Sequence, residues 1–219
     1  RSLTREALKL DPERRSGPAR ERMNQARAKP REAEDLAGRE FMSVPLRQMA
    51  YQPCGDLWIE TPEVNEVRRY RRWLDLQTAV ASTEYGVGDA VIRRDVFASH
   101  PDQALVVRMT CDKPGRVDAL VRLISPHPSS AKAVGDAIVL QGQVEDGGVR
   151  FEVRAEVSAE GGRIVAEGAA LRVAGADALT VRLVAATNFR NFRELSADPS
   201  ALCRERSAAA AARTPQQLL

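Results

Sequence analysis

Nine consecutive residues, Val149-Arg150-Phe151-Glu152-Val153-Arg154-Ala155-Glu156-Val157, alternate strictly between apolar and charged side chains. Successive side chains of a β-strand point to opposite faces, so this pattern gathers the apolar set on one face and the charged set on the other. On a helix the same charges would spread around the whole circumference. The stretch therefore predicts a half-buried antiparallel strand. Phe151 and Val153 are expected inside, with Arg150, Glu152, Arg154 and Glu156 in solvent.

Further strand-like runs lie at 56–60, 67–76, 78–86, 90–98, 103–110, 116–124, 137–144, 163–167, 170–174 and 178–186. Turn chemistry separates many of them: Pro114-Gly115, Gly135-Asp136, Asp146-Gly147-Gly148 and Gly161-Gly162. Glycine supplies positive φ, and Asp-Gly favours hairpin turns. Strands spaced this closely leave no room for the crossover helices of a parallel sheet. The expected fold is mainly β, a large antiparallel β-sandwich with short flanking helices.

Both ends differ from this middle. In residues 1–40, 11 Lys/Arg and 8 Asp/Glu make a charged, partly helical amino-terminal segment. Ser16-Gly17-Pro18 punctuates it. Pro30 suits the first position of a helix, where its missing N–H costs nothing, and Ala33, Leu36, Ala37 and Phe41 follow at helical spacing. A short amphipathic helix is thus expected over 30–42. Residues 41–197 form the sandwich domain. Over 198–219, Asp198-Pro199 and Thr214-Pro215 each read as a cap followed by a helix-starting proline. This last segment reads as a helical linker in a longer protein.

The chemistry-bearing residues are sparse. His100 and His127 stand 27 residues apart, outside any metal-ligand spacing. Ser99-His100-Pro101-Asp102 holds the residue types of a hydrolytic triad, but triad members come from separate parts of a fold, so a turn is the reading here. His127 lies between two prolines and is expected in an exposed loop. Cys54, Cys111 and Cys203 are odd in number and far apart, which disfavours a disulfide framework or a metal site. No glycine-rich phosphate loop follows a strand. Arg68-Arg69-Tyr70-Arg71-Arg72-Trp73 is the one dense basic and aromatic run. It could stack a sugar ring or bind phosphate, but it reads first as a strand with Arg69, Arg71 and Trp73 on one face. Trp58 and Trp73 are expected in the core. The net charge of +3, with both signs interleaved, argues against a nucleic-acid binder, and no run approaches a membrane span. No residue qualifies as a catalytic, cofactor-binding or metal-binding candidate, and no cofactor is expected.

Several ordered blocks carry a resemblance. Pro45-Leu46-Arg47-Gln48-Met49-Ala50-Tyr51-Gln52-Pro53-Cys54-Gly55-Asp56-Leu57 resembles the Tyr-Gln-Pro-Leu-Gly-Asp-Leu region of glycoside hydrolase family 95, the α-L-fucosidases and some α-L-galactosidases. Tyr70-Arg71-Arg72-Trp73-Leu74-Asp75-Leu76 and Arg94-Asp95-Val96-Phe97-Ala98-Ser99-His100-Pro101-Asp102-Gln103 are similar to its next two blocks. Thr187-Asn188-Phe189-Arg190-Asn191-Phe192, with Asp198-Pro199, resembles the block that closes the family's amino-terminal β domain. Cys54, Trp73 and Asn188 depart from the family's usual Leu, polar residue and Ser, and residues 1–40 lack its opening strands.

The resemblance implies a super-β-sandwich that braces a downstream α/α-barrel catalytic domain. It implies an inverting α-L-fucosidase as the parent enzyme, acting on fucosylated glycans in the periplasm or outside the cell. The family's acid and base belong to that barrel, so this chain alone is expected to be inactive. Arg47, Gln48, Tyr51 and Gln52 are the candidates for interdomain hydrogen bonds. The alternative is a free-standing carbohydrate-binding or interaction sandwich.

Overall fold

A computed structural model describes residues 17–40, 52–64, 66–144 and 148–219. The chain divides into two compact units, Arg1–Tyr51 and Gln52–Leu219. Arg47, Gln48 and Tyr51, and most of the Asp146-Gly147-Gly148 turn, lie outside the described residues.

Among the described residues of the first unit a helix, α1, runs over Gly17–Glu40. Pro30 lies inside it and does not start it, contrary to expectation. The Ala, Arg, Glu, Gln and Lys residues on both sides are strong helix formers, and they carry the helix past the one missing N–H. Pro18 takes the role expected of Pro30, near the first turn.

The second unit is an antiparallel β-sandwich. A small sheet takes β1 (Asp56–Glu60), β6 (Val117–Ile124), β11 (Ala170–Ala176) and β10 (Arg163–Glu167) in that spatial order. The large sheet runs β2 (Arg68–Asp75), β3 (Val80–Val87), β4 (Ala90–Ser99), β5 (Ala104–Cys111), β12 (Ala178–Thr187), β9 (Arg150–Glu160), β8 (Ala137–Gln143) and β7 (Ser129–Val134). Between them lies the main core, including Val107, Val121, Leu123, Ile138, Leu140, Leu171, Leu179 and Val181. Phe151, Val153, Ala155 and Val157 of β9 face into it, as the alternation requires.

Two glycine sites show how turns and packing fix this register. Gly161 and Gly162 join β9 to β10 with φ of 68° and 64°, the consecutive left-handed pair a tight hairpin needs. Gly142 of β8 pairs with Phe151, and a Cβ there would come within 2.4 Å of the phenyl ring. The ring occupies the space that glycine leaves.

β7, a twelfth strand, escaped the sequence reading. Its Ser-Ser-Ala-Lys-Ala-Val sequence has little of the β-branched and aromatic bulk that marks a strand. It forms the sheet edge, where small residues and a lysine suffice.

Two helices follow β12. α2 (Pro199–Ala211) begins where expected, with the Asp198 side chain accepting from the Ser200 and Ala201 N–H groups. α3 (Pro215–Leu218) starts with a Thr214–Gln217 capping box. α2 packs on β12 and β9, against the face of the large sheet remote from the main core. This placement explains the near-continuous apolar run of β12: Leu179 and Val181 serve the main core, while Val184 and Ala186 lie in a second apolar cluster with residues of the two helices.

Candidate functional site

The alternating charges of β9 do not all face water. Arg150 is exposed as expected, but Glu152 is 1% exposed and Arg154 and Glu156 are partly covered. A strand pattern tells which side chains point together, not what lies over them. Here the cover is α2. Its Ser200, Cys203, Ser207 and Ala210 recur at helical spacing and form a stripe of small side chains that lets the helix sit close to the sheet.

This seam is built from polar groups that largely meet one another, although Glu152 Oε1 and Arg154 Nε are buried without a hydrogen-bond partner. Gln141 Nε2 and Ser200 Oγ both donate to Glu152 Oε2, at 2.8 and 2.5 Å. Arg154 lies 3.6 Å from Glu152 and 3.8 Å from Glu156, and Ser207 Oγ donates to Glu156 at 2.8 Å. Cys203 Sγ donates to the Glu152 carbonyl, and Arg206 donates to the Ala185 carbonyl. Burial pushes the Cys203 thiol up to about 11, with the Glu152 charge adding to the effect. Beyond the polar strip, Phe97, Ala104, Val106, Val184 and Ala186 meet Cys203, Ala210 and Leu218.

The end of α2 is fastened by a second set of bonds. Arg213 pairs with Asp102 at 2.7 Å, and Arg182 donates to the Arg213 carbonyl. Burial and the nearby Arg108 charge lower the pKa of the Arg182 guanidinium from its ordinary value. Ser99 Oγ donates to Asp102 at 2.7 Å. His100 contributes its carbonyl oxygen to a turn, accepting from Gln103. The triad-like tetrapeptide is thus a turn whose carboxylate holds a helix end, and its serine has no imidazole base.

Other sequence candidates also find places. His127 lies in the β6–β7 loop between exposed Pro126 and Pro128, as expected, but is itself half-buried, its ring 6.0 Å from that of Phe151 in an edge-on arrangement. All three cysteines are free, and Cys203 is fully buried. Among the described residues no group of three His, Cys, Asp or Glu side chains could hold a metal ion. Neither tryptophan is in the core. Trp58 is 44% exposed on the outer face of the small sheet, with Arg122 at 4.8 Å from its ring centroid. Trp73 is half-buried on edge strand β2, with Arg71 at 4.4 Å and Arg93 at 5.5 Å. The β2–β3 register shifts between Arg68 and Arg71, and Arg69 has φ of 52°, so the expected face with Arg69, Arg71 and Trp73 is broken at Arg69.

After β12 the chain makes a fixed loop. Asn188 is buried, donates to the carbonyls of Gly148 and Leu195, and accepts from the Arg150 N–H. The loop it holds presents Phe189 and Phe192, the latter 84% exposed with Arg193 over its ring.

A family model described as "Glycosyl hydrolase family 65, N-terminal domain" matches residues 12–192. The chain belongs to that family. The motif blocks pointed to family 95; the match names family 65, and the common ground is the amino-terminal β domain of a glycoside hydrolase. Among curated relatives, "Alpha-L-fucosidase 2" of Arabidopsis thaliana is 36% identical over 97 residues, and "Probable alpha-fucosidase A" of Aspergillus niger is 35% identical over 97 residues. These alignments cover 42% and 43% of the chain but 12% of each relative. A solved structure, "Putative kojibiose phosphorylase from human microbiome", shares the fold with a TM-score of 0.51 at 10% identity, over 76% of this chain and 27% of that one.

The seam was not foreseen in the sequence. The signals that mark it are the small-residue stripe of α2 and the apolar residues on both faces of β12. Together they indicate a sheet covered twice.

Proposed function

We propose that the chain is the non-catalytic amino-terminal domain of an inverting α-L-fucosidase, and that it braces a catalytic barrel encoded downstream of it. The fucosidase names of the two curated relatives support the substrate class. The observation that carries the bracing role is the loop fixed by Asn188. Phe189, 53% exposed, and Phe192, 84% exposed, are large apolar rings displayed on this anchored loop, the kind of surface that is covered in an assembled protein.

The carboxylates on the large sheet support a non-catalytic role. Inverting hydrolysis needs an acid on the leaving oxygen and a base holding water across the sugar, roughly 6.5–9.5 Å apart. Glu152, Glu156, Asp95 and Asp102 are instead engaged by hydroxyls and guanidinium groups. A parent enzyme acting on fucosylated glycans fits a periplasmic or secreted location, which fractionation of the source cells tests.

The deciding experiment compares residues 1–219 with the full product of the gene. The full product is expected to release fucose with inverted anomeric configuration, read by proton NMR, while residues 1–219 turn over no α-L-fucoside. Exchange of Phe189 and Phe192 for alanine should lower the melting temperature of the full product and leave that of residues 1–219 unchanged. A gene product with no fucosidase activity, or an active isolated chain, would overturn the reading.

A further inference from the structure

The helices leave part of the large sheet's outer face open. Beside α3 lies a cleft of ≈ 270 Å³. Its floor is a row of register partners across four strands: Trp73 on β2, Ser82 on β3, Asp95 on β4 and Arg108 on β5. Asp75 and Thr78 rise from the β2–β3 turn at one side, and Gln216 of α3 stands at the other.

The polar groups of the floor are fixed before any ligand arrives. Ser82 Oγ donates to Asp95 Oδ1 at 2.6 Å, and Arg93 Nε lies 2.9 Å from Asp95 Oδ2. Arg108 donates to Thr180 Oγ1 at 3.0 Å and pairs with Glu160 at 2.8 Å. Asp75 Oδ1 accepts from the N–H groups of Gln77 and Thr78. Two guanidinium groups lie over the Trp73 ring, Arg71 at 4.4 Å and Arg93 at 5.5 Å; Arg93 lines the cleft and Arg71 takes no part in its wall, so a ligand meets the part of the indole they leave bare. Side chains held in this way pay little ordering entropy on binding.

The composition selects a ligand class. Two aspartates and two arginines line the cleft, with Pro215 and Leu219 beside them, so it offers both acceptors and donors and its side-chain charges cancel. An anion would prefer a one-signed site. The indole of Trp73 and the side chain of Phe97 add apolar surface beside these groups. A pyranose has this same division, a C–H face that packs on an aromatic ring and an edge of hydroxyls that both donate and accept. The volume lies just below the ~300–1,000 Å³ of ordinary small-molecule sites, room for a short ligand.

We propose that this cleft is a binding subsite for an uncharged sugar unit, with Trp73 as the stacking surface and Asp75, Asp95, Arg93 and Arg108 as hydrogen-bonding partners. Hydrolysis plays no part in the proposal, so it stands or falls separately from the fucosidase reading.

The test uses the whole 219-residue chain and L-fucose, D-galactose and D-glucose as probes. A shallow site for one sugar is expected to bind on the order of millimolar. Saturation-transfer NMR on the unmodified chain should show contact with at least one of these sugars. With Trp58→Phe leaving Trp73 as the sole indole, fluorescence should change saturably. Trp73→Ala should weaken binding by at least about tenfold, and Asp95→Asn by several-fold, in variants whose circular dichroism and melting temperature match the parent. If Trp73→Ala fails to fold, Gln216→Trp, which fills the cleft from α3, should block binding instead. No transfer to any of the three sugars, undiminished binding after both Trp73→Ala and Gln216→Trp, or displacement of the sugar by inorganic phosphate would overturn the proposal.

Discussion

The Glu152 carboxylate and the Ser200 hydroxyl meet at 2.5 Å across the seam between β9 and α2. They are 48 positions apart in sequence, and the contact satisfies Glu152 Oε2, while Oε1 lies buried without a hydrogen-bond partner. Removing the carboxylate by Glu152→Ala leaves the Ser200 hydroxyl and part of Arg154 without their partner, while Gln141 Nε2 keeps Ser200 Oγ at 3.0 Å. The expected loss is about 2–4 kcal/mol in urea denaturation. Glu152→Gln keeps an acceptor for the Ser200 hydroxyl and should cost about half as much. Arg150→Ala, one residue away and exposed, should stay within about 0.5 kcal/mol.

Cys203 makes the seam sensitive to alkali. Its thiol pKa is raised from the ordinary 9.0 to about 11 in the folded chain. The folded state therefore holds a proton that the unfolded state releases. Stability from this group is complete below the unfolded pKa, falls as pH rises through the interval up to about 11, and then levels off. The full loss is roughly 3 kcal/mol. Stability measured at several pH values between these limits should fall more steeply for the parent than for Cys203→Ala. At neutral pH a thiol reagent should label Cys203 only through unfolding.

The core of the sandwich gives a paired test. Phe151→Ala removes a buried ring and should cost about 3–5 kcal/mol. Gly142→Ala adds a single methyl at the position where that ring approaches to 2.4 Å, and should cost about 1–3 kcal/mol through overpacking. The two sites share one space. Gly142→Ala in a Phe151→Leu background should therefore be less harmful than the sum of the separate changes, which a double-mutant cycle in chemical denaturation will read.

These sites also show what the sequence displays and what it hides. The inner face of β9 was legible because period-two alternation is a local property, written in consecutive residues. Its outer face was misread because the cover comes from α2, about fifty positions later. Charged residues look the same in sequence whether water or Ser200 and Ser207 meet them. The caps Asp198 and Thr214 were legible because a cap and its partners lie within one turn. Trp58 and Trp73 were expected inside on bulk alone, but arginines stack on their rings, so they can remain at the surface. β7 went unseen because an edge strand of small residues has neither periodic bulk nor a covered outer face.

Asn188 gives the last prediction, since it ties β9, β12 and the Phe189–Leu195 loop together with one side chain. Its Nδ2 donates to two carbonyls, those of Gly148 and Leu195, while its Oδ1 accepts from the Arg150 N–H. Asn188→Asp preserves the shape and the acceptor but turns oxygen toward the two carbonyls, so both donations are lost inside a buried site. The expected cost is about 2–4 kcal/mol in chemical denaturation. The same change should free the loop, exposing the bonds after Arg190 and Arg193 to trypsin. Limited proteolysis should then cut Asn188→Asp at these arginines much faster than the parent, under conditions where both remain folded by circular dichroism. Phe192→Ala, which removes an exposed ring and no anchor, should be cut at the parent's rate. Equal cleavage of all three would mean that the loop is held by something other than Asn188.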